Sequence, residues 1–346
     1  MTESPTLSSR PVRIDDLARS LGLSKGTVSR ALNGYSDISP ATRKRVAEAA
    51  EALGYRPMAH AQAIKTGRVR ALGLVLQMDQ HDAQAPFLAG FLHGITRAAS
   101  AHGWTLTVST AESEEEGLEV YRRIRRERKA DGFILPRTRL SDPRIDLLRE
   151  EGCPFVLFGR TGDPTGCAWF DIRSEDAMAD AVTRLAALGH RRIAHLGGDT
   201  EFTYAHLRAE GVRAGLTAAG LPVDDGLFRL GNATRDDAAR SAGELLDDMH
   251  PTAIVCATDV LALGALKALA DRGLVPGRDV SVVGYDGLAE GRAATVPLST
   301  YAVDQVGAGG RLADILIERI RGAAPDSLRE TAMPEFYAGG TIGPPV

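Results

Sequence analysis

The sequence predicts a two-part protein: a small all-α helix-turn-helix unit at the N-terminus, and after it a larger α/β body of two similar lobes. Two observations predict this division. Apolar residues recur at helical spacing in three short segments between Val12 and Tyr55. From Arg70 onward, short runs of Val, Ile and Leu alternate with helical patterns over about 270 residues, as in parallel sheets covered by helices. This alternation is too long for one small doubly wound sheet, so two lobes are expected.

The first unit has the spacing of a helix-turn-helix. Leu17 and Leu21 share one face of a first helix, and Val28 and Leu32 share one face of a second. Gly22 lies between them, where the turn requires a residue that tolerates positive φ. A third amphipathic helix follows and covers the first two. A plain helical bundle with a solvated polar face is the alternative, but it does not explain why turn, cap and basic helix agree.

The second helix is the candidate DNA-reading element. Ser24 stands at its N-cap position, where the hydroxyl can accept from the backbone N–H of Thr27 or of a neighbouring residue. Lys25, Ser29 and Arg30 follow, and side chains of these types donate to phosphates and to base edges in a major groove.

Charge and composition agree with this division. Residues 1–70 hold 12 Lys and Arg against 6 Asp and Glu, whereas the rest of the chain holds 29 against 39. A basic module on an acidic body indicates a polyanionic partner for the module. The polar N-terminus is not a signal peptide, and no apolar run approaches the ~20 residues that span a bilayer. We therefore expect a cytoplasmic protein with no membrane partner.

Motifs of catalysis and of cofactor binding are not found in the sequence. It contains no nucleophile elbow, phosphate-binding loop, dinucleotide fingerprint or metalloprotease helix. The three cysteines are widely separated and support neither a zinc site nor a disulfide framework. His190 and His195 are expected at a helix end and in a strand, in structural roles. The sequence predicts neither an enzyme nor a bound cofactor or metal.

The strand–helix alternation predicts the elements of the body in order. The expected strands are 71–76, 105–109, 132–135, 154–158, 192–196, 227–230, 253–256 and 281–285. The expected helices are 87–102, 114–128, 144–151, 174–188, 204–219, 235–248, 259–271 and 306–321. The stretch 160–171 is rich in Gly and Pro, which predicts that the chain crosses between the lobes there.

Several longer segments resemble the lactose-repressor/galactose-repressor family of bacterial transcription regulators. In the first unit these are LARSLGLSKGTVSRALNG, ATRKRV and LGYRP. In the body they are LGHRRIAHLGG (188–198), RAEGVRAG (208–215), PTAIVCATDVLALGALKAL (251–269) and VPGRDVSVVGYDG (275–287). The resemblance covers essentially the whole chain. It implies a body like that of periplasmic sugar-binding proteins, with two Rossmann-like lobes, and a homodimer that binds a palindromic operator and a small effector.

The resemblance and the patterns together imply the domain limits. They are a disordered tail (1–10), a helix-turn-helix DNA-binding domain (11–57), a hinge helix or linker (58–69) and a ligand-binding and dimerisation domain (70–343). Lobe 1 is expected over about 70–165 and 303–332, and lobe 2 over about 166–302 and 333–343.

Carried onto this sequence, the resemblance implies DNA contacts along the second helix and in the hinge. The implied residues are Ser24, Lys25, Gly26, Thr27, Ser29, Arg30, Asn33, Tyr35, Ala61 and Ile64. Gly26 is a departure, because it offers no side chain where family members read a base, and this leaves the operator sequence open. Ile64 stands where the family carries a leucine that wedges into the minor groove. Plain packing is the alternative for Ile64.

The resemblance also implies an effector site in the cleft between the lobes. The implied residues are Phe87, Arg137, Arg160, Trp169, Asp171, Arg208, Thr258, Asp259, Asp286 and Gln305. Arg208 and Asp286 match the family's most recognisable effector contacts, and a guanidinium with a carboxylate suits a polyol. For Asp259, capping of the next helix is an equal alternative. For Arg137 and Arg160, a solvated position in a loop is an equal alternative.

The predicted function is a sequence-specific DNA-binding regulator, a repressor, whose operator affinity is controlled by a small ligand between the lobes. A neutral sugar such as an α-glucoside is the expected ligand, because the PRTR, FGR and WFD stretches are similar to those of α-glucoside regulators. A purine or a sugar phosphate is the alternative effector. A sugar-binding solute receptor without a regulatory role is the alternative class of protein.

Overall fold

The structure is a computed structural model in which residues 12–55, 67–77 and 85–346 are described. The chain divides into two compact units, residues 1–69 and residues 70–346. The predicted tail and most of the predicted hinge lie outside the described residues. No helix among the described residues is long and apolar enough to cross a membrane.

Three helices make up the described part of the first unit: α1 (Ile14–Leu21), α2 (Lys25–Leu32) and α3 (Pro40–Ala52). Each contributes one completely buried side chain to the centre of the unit, namely Leu17, Val28 and Val46. Gly22 ends α1 with a φ of 64°, the left-handed conformation that the turn requires. The apolar spacing therefore forms the three-helix core that the sequence predicts.

The first lobe of the second unit is built on a six-stranded parallel sheet. Its first elements are β1 (Ala71–Gln77), α4 (Ala85–Ala101), β2 (Thr105–Ala111), α5 (Glu114–Arg126), β3 (Gly132–Leu135), α6 (Pro143–Glu150), β4 (Phe155–Phe158) and β5 (Ala168–Ile172). Two later elements return to this lobe: α12 (Gln305–Arg321) and β11 (Arg329–Ala332). The strand order is β11-β5-β4-β3-β1-β2.

The second lobe repeats this architecture. Its elements are α7 (Ser174–Ala187), β6 (Ile193–Leu196), α8 (Thr203–Ala218), β7 (Phe228–Arg229), α9 (Arg235–Glu244), β8 (Ala253–Cys256), α10 (Asp259–Ala270), β9 (Ser281–Asp286), α11 (Ala289–Arg292), β10 (Ser299–Ala302) and β12 (Glu335–Tyr337). The strand order is β12-β10-β9-β8-β6-β7, and only the edge strand β12 is antiparallel to its neighbour. A π-helical turn, Leu245–Met249, extends α9.

The first crossing between the lobes corrects a prediction. We expected the stretch 160–171 to cross and lobe 2 to begin at about residue 166. Instead, Ala168–Ile172 forms β5, which pairs with β4 and β11 of the first sheet, so the chain crosses only after Ile172. The strand was missed because Asp171 interrupts its apolar run and because β11, one of its partners, lies about 160 residues later in the chain. Strands β10, β11 and β12 were missed as well.

Helices α4 and α12 pack against each other through glycines. An ideal Cβ on Gly309 would lie 2.3 Å from the carbonyl oxygen of Phe91, closer than real Cβ contacts come. An ideal Cβ on Gly310, the next residue, would meet nothing closer than 3.9 Å. The first glycine therefore sets the distance between the two helices, and the second does not.

Replacing Gly309 by alanine is expected to destabilise the protein by about 1–3 kcal/mol, because the two helix backbones must move apart. The matched control is Gly310→Ala, which adds the same methyl group to the same helix. It should be neutral or stabilising, since alanine favours a helix interior by up to about 1 kcal/mol over glycine. Urea unfolding of the two variants measures the difference. Equal losses would contradict the close contact at Gly309.

Candidate functional site

Helix α2 presents the predicted DNA-contact residues on one face. Lys25, Ser29 and Asn33 follow one another at four-residue spacing, and Gly26 and Arg30 lie beside them. All are exposed except Ser29, which is half-buried. The buried side chains of α2 lie on the opposite face. The helix therefore has one polar surface, which is free of large apolar side chains.

Some of the predicted DNA contacts also stabilise α2 itself. The Ser24 hydroxyl accepts from the Thr27 backbone N–H at 3.0 Å, and the two hydroxyl oxygens are 2.9 Å apart. Asn33 donates through Nδ2 to the carbonyl oxygen of Ser29 at 2.6 Å. These bonds fix both ends of the helix, since N-caps satisfy backbone donors that have no partner within it.

Two carboxylates that the sequence reasoning overlooked pair with the basic side chains of this face. Lys25 Nζ lies 3.3 Å from Asp15 Oδ2, and Arg30 pairs with Asp37. The Arg30 guanidinium also lies 5.6 Å from the centre of the Tyr35 ring. Exposed ion pairs of this kind contribute little stability, so phosphate groups can replace the carboxylates at small cost.

The two other predicted DNA contacts, Ala61 and Ile64, lie outside the described residues. Their roles in the hinge stay predictions.

A second candidate site lies between the lobes of the second unit, in a cavity of about 160 Å³. The carboxyl ends of both sheets contribute to it, which is where open α/β sheets bind ligands. Residues after the strands line it: Arg137 after β3, Arg160 after β4, Asp199 after β6, Asn232 after β7 and Thr258 after β8, with Asp286 at the end of β9.

The first lobe gives the cavity an apolar wall. Phe87, Phe91 and Phe158 contribute rings whose centres are 5.3–5.9 Å apart. Leu76 and Leu88 extend this wall. Sequence reasoning predicted Phe87 but not Phe91 or Phe158, because a phenylalanine within a helix or at the end of a strand is usually part of the core.

An ion cluster joins the apolar wall at the end of β4. Arg160 donates through Nε to Asp171 at 2.5 Å and through Nη2 to Glu175 at 2.8 Å. Burial raises the pKa of Asp171, and the Arg160 charge opposes that rise. The predicted residues Arg160 and Asp171 therefore do lie at the cavity, but as partners of each other and of Glu175.

The second lobe holds Arg208 in a fixed orientation. Its guanidinium lies 3.8 Å from the centre of the Tyr285 ring and 4.8 Å from that of Tyr204, and its Nη1 donates to the carbonyl oxygen of Ala257. Its Nε is buried without a hydrogen-bond partner among the described residues. The arginine thus keeps donor capacity at the cavity wall, in a direction set by aromatic contacts on two sides.

Asp286 lines the same wall. Its φ of 117° lies in the left-handed region that L residues rarely adopt, so the backbone here is held by its surroundings. Burial raises the pKa of Asp286 to about 7, and the charge of Arg208 opposes this rise. The carboxyl group therefore changes protonation near neutral pH.

Contacts across the mouth of the cavity join the lobes. The Thr203 backbone N–H donates to the carbonyl oxygen of Thr138 at 2.9 Å. The Arg137 guanidinium lies 3.6 Å from the centre of the Phe202 ring. The prediction placed Arg137 in the cleft or in a solvated loop, and the structure places it at the cavity, against the other lobe.

Two predicted effector residues lie away from the cavity. Trp169 shares a face of β5 with Asp171 but sits toward the other end of the strand, with the Arg329 guanidinium 4.3 Å from its ring. Gln305 opens α12 and packs on Gly90 of α4. Neither is among the residues that line the cavity, and the effector contacts at these two positions stay predictions.

The position of Asp259 also differs from the prediction, because its side chain lies behind the cavity wall and does not line the cavity. It is completely buried, and its carboxylate accepts from the Leu288 backbone N–H and from the Thr300 hydroxyl, both at 2.6 Å. The predicted capping role falls to Thr258, whose hydroxyl accepts from the Leu261 backbone N–H. Thr258 lines the cavity as well.

Several lining residues were not predicted. Among them are Phe91, Phe158, Asp199, Thr203, Tyr204, Asn232 and Tyr285. Their positions in the sequence could have indicated most of these residues, since most of them follow or end a parallel strand or begin the next helix. No group of three or more His, Cys, Asp or Glu within the described ranges is arranged to hold a metal ion.

Both units match family models. Residues 13–58 match the model described as bacterial regulatory proteins, lacI family. Residues 70–339 match the model described as periplasmic binding proteins and sugar binding domain of LacI family. Together the two matches cover most of the chain.

The chain is also similar to individual regulators over nearly its whole length. The HTH-type transcriptional regulator RafR of Escherichia coli is 36% identical over 334 residues, which cover 95% of this chain and 98% of RafR. The structure of the transcriptional regulator CelR in complex with cellobiose is 30% identical, with a TM-score of 0.74 and coverage of 96% of this chain and 100% of that chain. The lac repressor dimer bound to operator and the anti-inducer ONPF is 26% identical, with a TM-score of 0.79 and the same coverage.

Replacing Asp259 by asparagine is expected to lower the free energy of unfolding by about 1–3 kcal/mol, because the amide offers one acceptor where the carboxylate serves two donors. The matched control is Asp286→Asn, which removes a carboxylate from the cavity wall and should not lower stability. Urea unfolding measures the free energy of unfolding of both variants. If Asp259→Asn were as stable as the control, the supporting role of Asp259 would be wrong.

Proposed function

The chain belongs to the LacI family of bacterial regulatory proteins, and from that membership we propose that it is a repressor whose operator affinity is controlled by a neutral sugar bound between its lobes. The observation that supports a sugar as the ligand is the set of residues that line the cavity. One wall is made of phenylalanine rings, and the other walls present carboxylates, guanidinium groups and hydroxyls. A sugar has the matching chemistry, because its ring carries an apolar C–H face and a rim of hydroxyls.

The charges at the cavity favour a neutral ligand. Three guanidinium groups and three carboxylates line it: Arg137, Arg160, Arg208, Asp171, Asp199 and Asp286. Arg160 is already paired with two carboxylates. A sugar phosphate would bring two negative charges to a site without surplus positive charge, so it is the weaker candidate.

A purine is also the weaker candidate. It would need a slot for a flat aromatic ring, but the three phenylalanine rings at the apolar wall pack on one another. The similarity to a regulator solved with cellobiose supports a disaccharide. The PRTR, FGR and WFD stretches favour an α-glucoside among disaccharides.

The DNA-binding form that we propose is a homodimer on a palindromic operator. One recognition helix contacts a single half-site, so two copies are needed for a full operator. The similarity to the lac repressor dimer bound to operator supports this assembly. The hinge would add a minor-groove contact through Ile64 and a close helix pairing at Ala61.

Control by sugar follows from linkage between two binding events. A sugar changes operator affinity only if it binds one conformation of the protein better than the other. No catalytic step is needed, so we propose that the protein acts by binding alone, in the cytoplasm, where its DNA is. The alternative class is a sugar-binding solute receptor, and the DNA-binding unit argues against it.

Fluorescence anisotropy with labelled DNA from upstream of the protein's own gene tests the proposal, together with two variants. Arg208→Ala should keep operator affinity but lose the response to sugar, because it removes a donor from the cavity wall. Lys25→Ala should do the reverse, with operator affinity weakened about 10-fold or more and sugar binding retained. Candidate sugars are maltose, trehalose, sucrose, melibiose and cellobiose, and thermal shift measures their binding.

Two outcomes would overturn this function. One is the absence of specific DNA binding at about 100 mM salt, where specific complexes of this kind bind at nanomolar concentrations. The other is an operator affinity of the wild-type protein that none of the candidate sugars changes, whereas an unchanged sugar response in Arg208→Ala would show only that Arg208 is not a contact. Hypoxanthine and glucose 6-phosphate, tested in parallel, show whether the effector is a purine or a sugar phosphate instead.

Sugar affinity is also expected to depend on pH through Asp286. A carboxylate accepts from sugar hydroxyls better than the protonated acid does, and the pKa of about 7 leaves the acid protonated at low pH. Affinity should therefore be roughly 10-fold weaker at pH 6 than at pH 8. Titration calorimetry at the two pH values measures the sugar affinity. Asp286→Asn should lose most of the dependence, and a variant that kept it would point to another group such as Asp171.

A further inference from the structure

We infer that Tyr285 and Thr203 bind the effector through their hydroxyl groups, an inference that rests on the proposed sugar-binding function. Both residues line the cavity, with only 1% and 4% of their surfaces exposed. Neither hydroxyl has a partner that meets hydrogen-bond geometry among the described residues, although the neighbouring Arg208 guanidinium opposes the rise that burial causes in the pKa of Tyr285. Polar atoms so deeply buried are nearly always hydrogen-bonded, so each of these two calls for a partner.

The position of the two hydroxyls indicates where that partner comes from. Leaving a buried hydroxyl unpaired costs free energy, and a protein normally avoids this with a neighbouring side chain or backbone group. Here the unpaired atoms belong to residues that line the cavity. A molecule bound in the cavity is therefore the partner that we infer for both.

Both side chains are held in place before any ligand binds. Tyr285 lies in β9, between β8 and β10 at the middle of the second sheet, and its ring packs against the Arg208 guanidinium. The Thr203 backbone is hydrogen-bonded to Thr138 of the other lobe. Groups fixed in this way lose little conformational entropy on binding, which favours their use as recognition groups.

The chemistry of a hydroxyl complements that of the other polar groups at the cavity. The carboxylate of Asp286 only accepts hydrogen bonds, and the guanidinium of Arg208 only donates them. The hydroxyls of Tyr285 and Thr203 do both, as sugar hydroxyls do. They therefore select for a ligand hydroxyl at a defined position, because an analogue without it would leave them unpaired.

The test removes each hydroxyl while keeping the rest of the side chain. Tyr285→Phe and Thr203→Val are compared with the full-length wild-type protein. The matched control is Tyr121→Phe, which deletes the hydroxyl of a tyrosine that is equally buried and equally unpaired but lies in the first lobe, away from the cavity. Thermal unfolding and titration calorimetry are measured with maltose, trehalose, sucrose, melibiose and cellobiose.

The two cavity variants should bind the best sugar of this panel about 10-fold more weakly, the loss expected for one hydrogen bond. Their unfolding temperatures without sugar should be unchanged or higher, because an unpaired buried hydroxyl has been removed. Tyr121→Phe should show the same stability effect with wild-type sugar affinity. A purely structural role for Tyr285 or Thr203 would give the opposite pattern, namely lower stability or unchanged affinity.

The failure of this inference can be told apart from failure of the proposed function. Wild-type protein that binds a sugar, with Tyr285→Phe and Thr203→Val binding it equally well, would overturn the role of the two hydroxyls alone. Wild-type protein that binds none of the five sugars at about 20 mM would overturn the sugar-binding function, and this inference with it.

Discussion

The carboxylate of Asp259 is the interaction on which the second-lobe wall of the cavity depends. It accepts from the Leu288 backbone N–H and from the Thr300 hydroxyl, and so ties the start of α10 to the turn after β9 and to β10. Gly284 makes room for it, since a Cβ there would lie 2.2 Å from Asp259 Oδ1. Burial raises the pKa of Asp259, which shows that its position is costly for the charge. The turn that it holds begins at Asp286.

Charged groups at the cavity are oriented by the protein before a ligand arrives. Arg160 is fixed by Asp171 and Glu175, and Arg208 by two tyrosine rings and a carbonyl oxygen. Preorganised groups of balanced charge favour a neutral ligand with many hydroxyls, because binding then requires neither rearrangement of side chains nor removal of an unpaired charge from water. The same arrangement explains why the sequence, which shows Arg137 and Arg160 only as arginines after strand ends, left the roles of these two open.

Local signals made most of the fold predictable. The helix-turn-helix was recognised from apolar spacing, a turn glycine and a cap within about 40 residues, and each βα unit from its own apolar run. Strands β10, β11 and β12 were not predicted. The pairing partners of the edge strands β11 and β12 lie about 160 and about 35 residues earlier in the chain, and β10 is a short strand, Ser299–Ala302, of mixed polar and apolar residues. At the site, Asp259 and Asp286 look alike in sequence, since both follow or end a strand. Only the packing of β10 and the turn after β9 decides that the first is buried support and the second faces the cavity.

The contacts at the mouth of the cavity connect ligand binding to the arrangement of the lobes. Thr138 meets Thr203 there, and Arg139 pairs with Glu201 at 3.3 Å. Thr138 and Arg139 follow β3, and Glu201 and Thr203 follow β6. A sugar that touches both the phenylalanine wall and Arg208 contacts both lobes, so it stabilises the same lobe arrangement as these contacts. This differential stabilisation is what linkage requires of an effector, since a ligand that binds every arrangement equally changes no equilibrium.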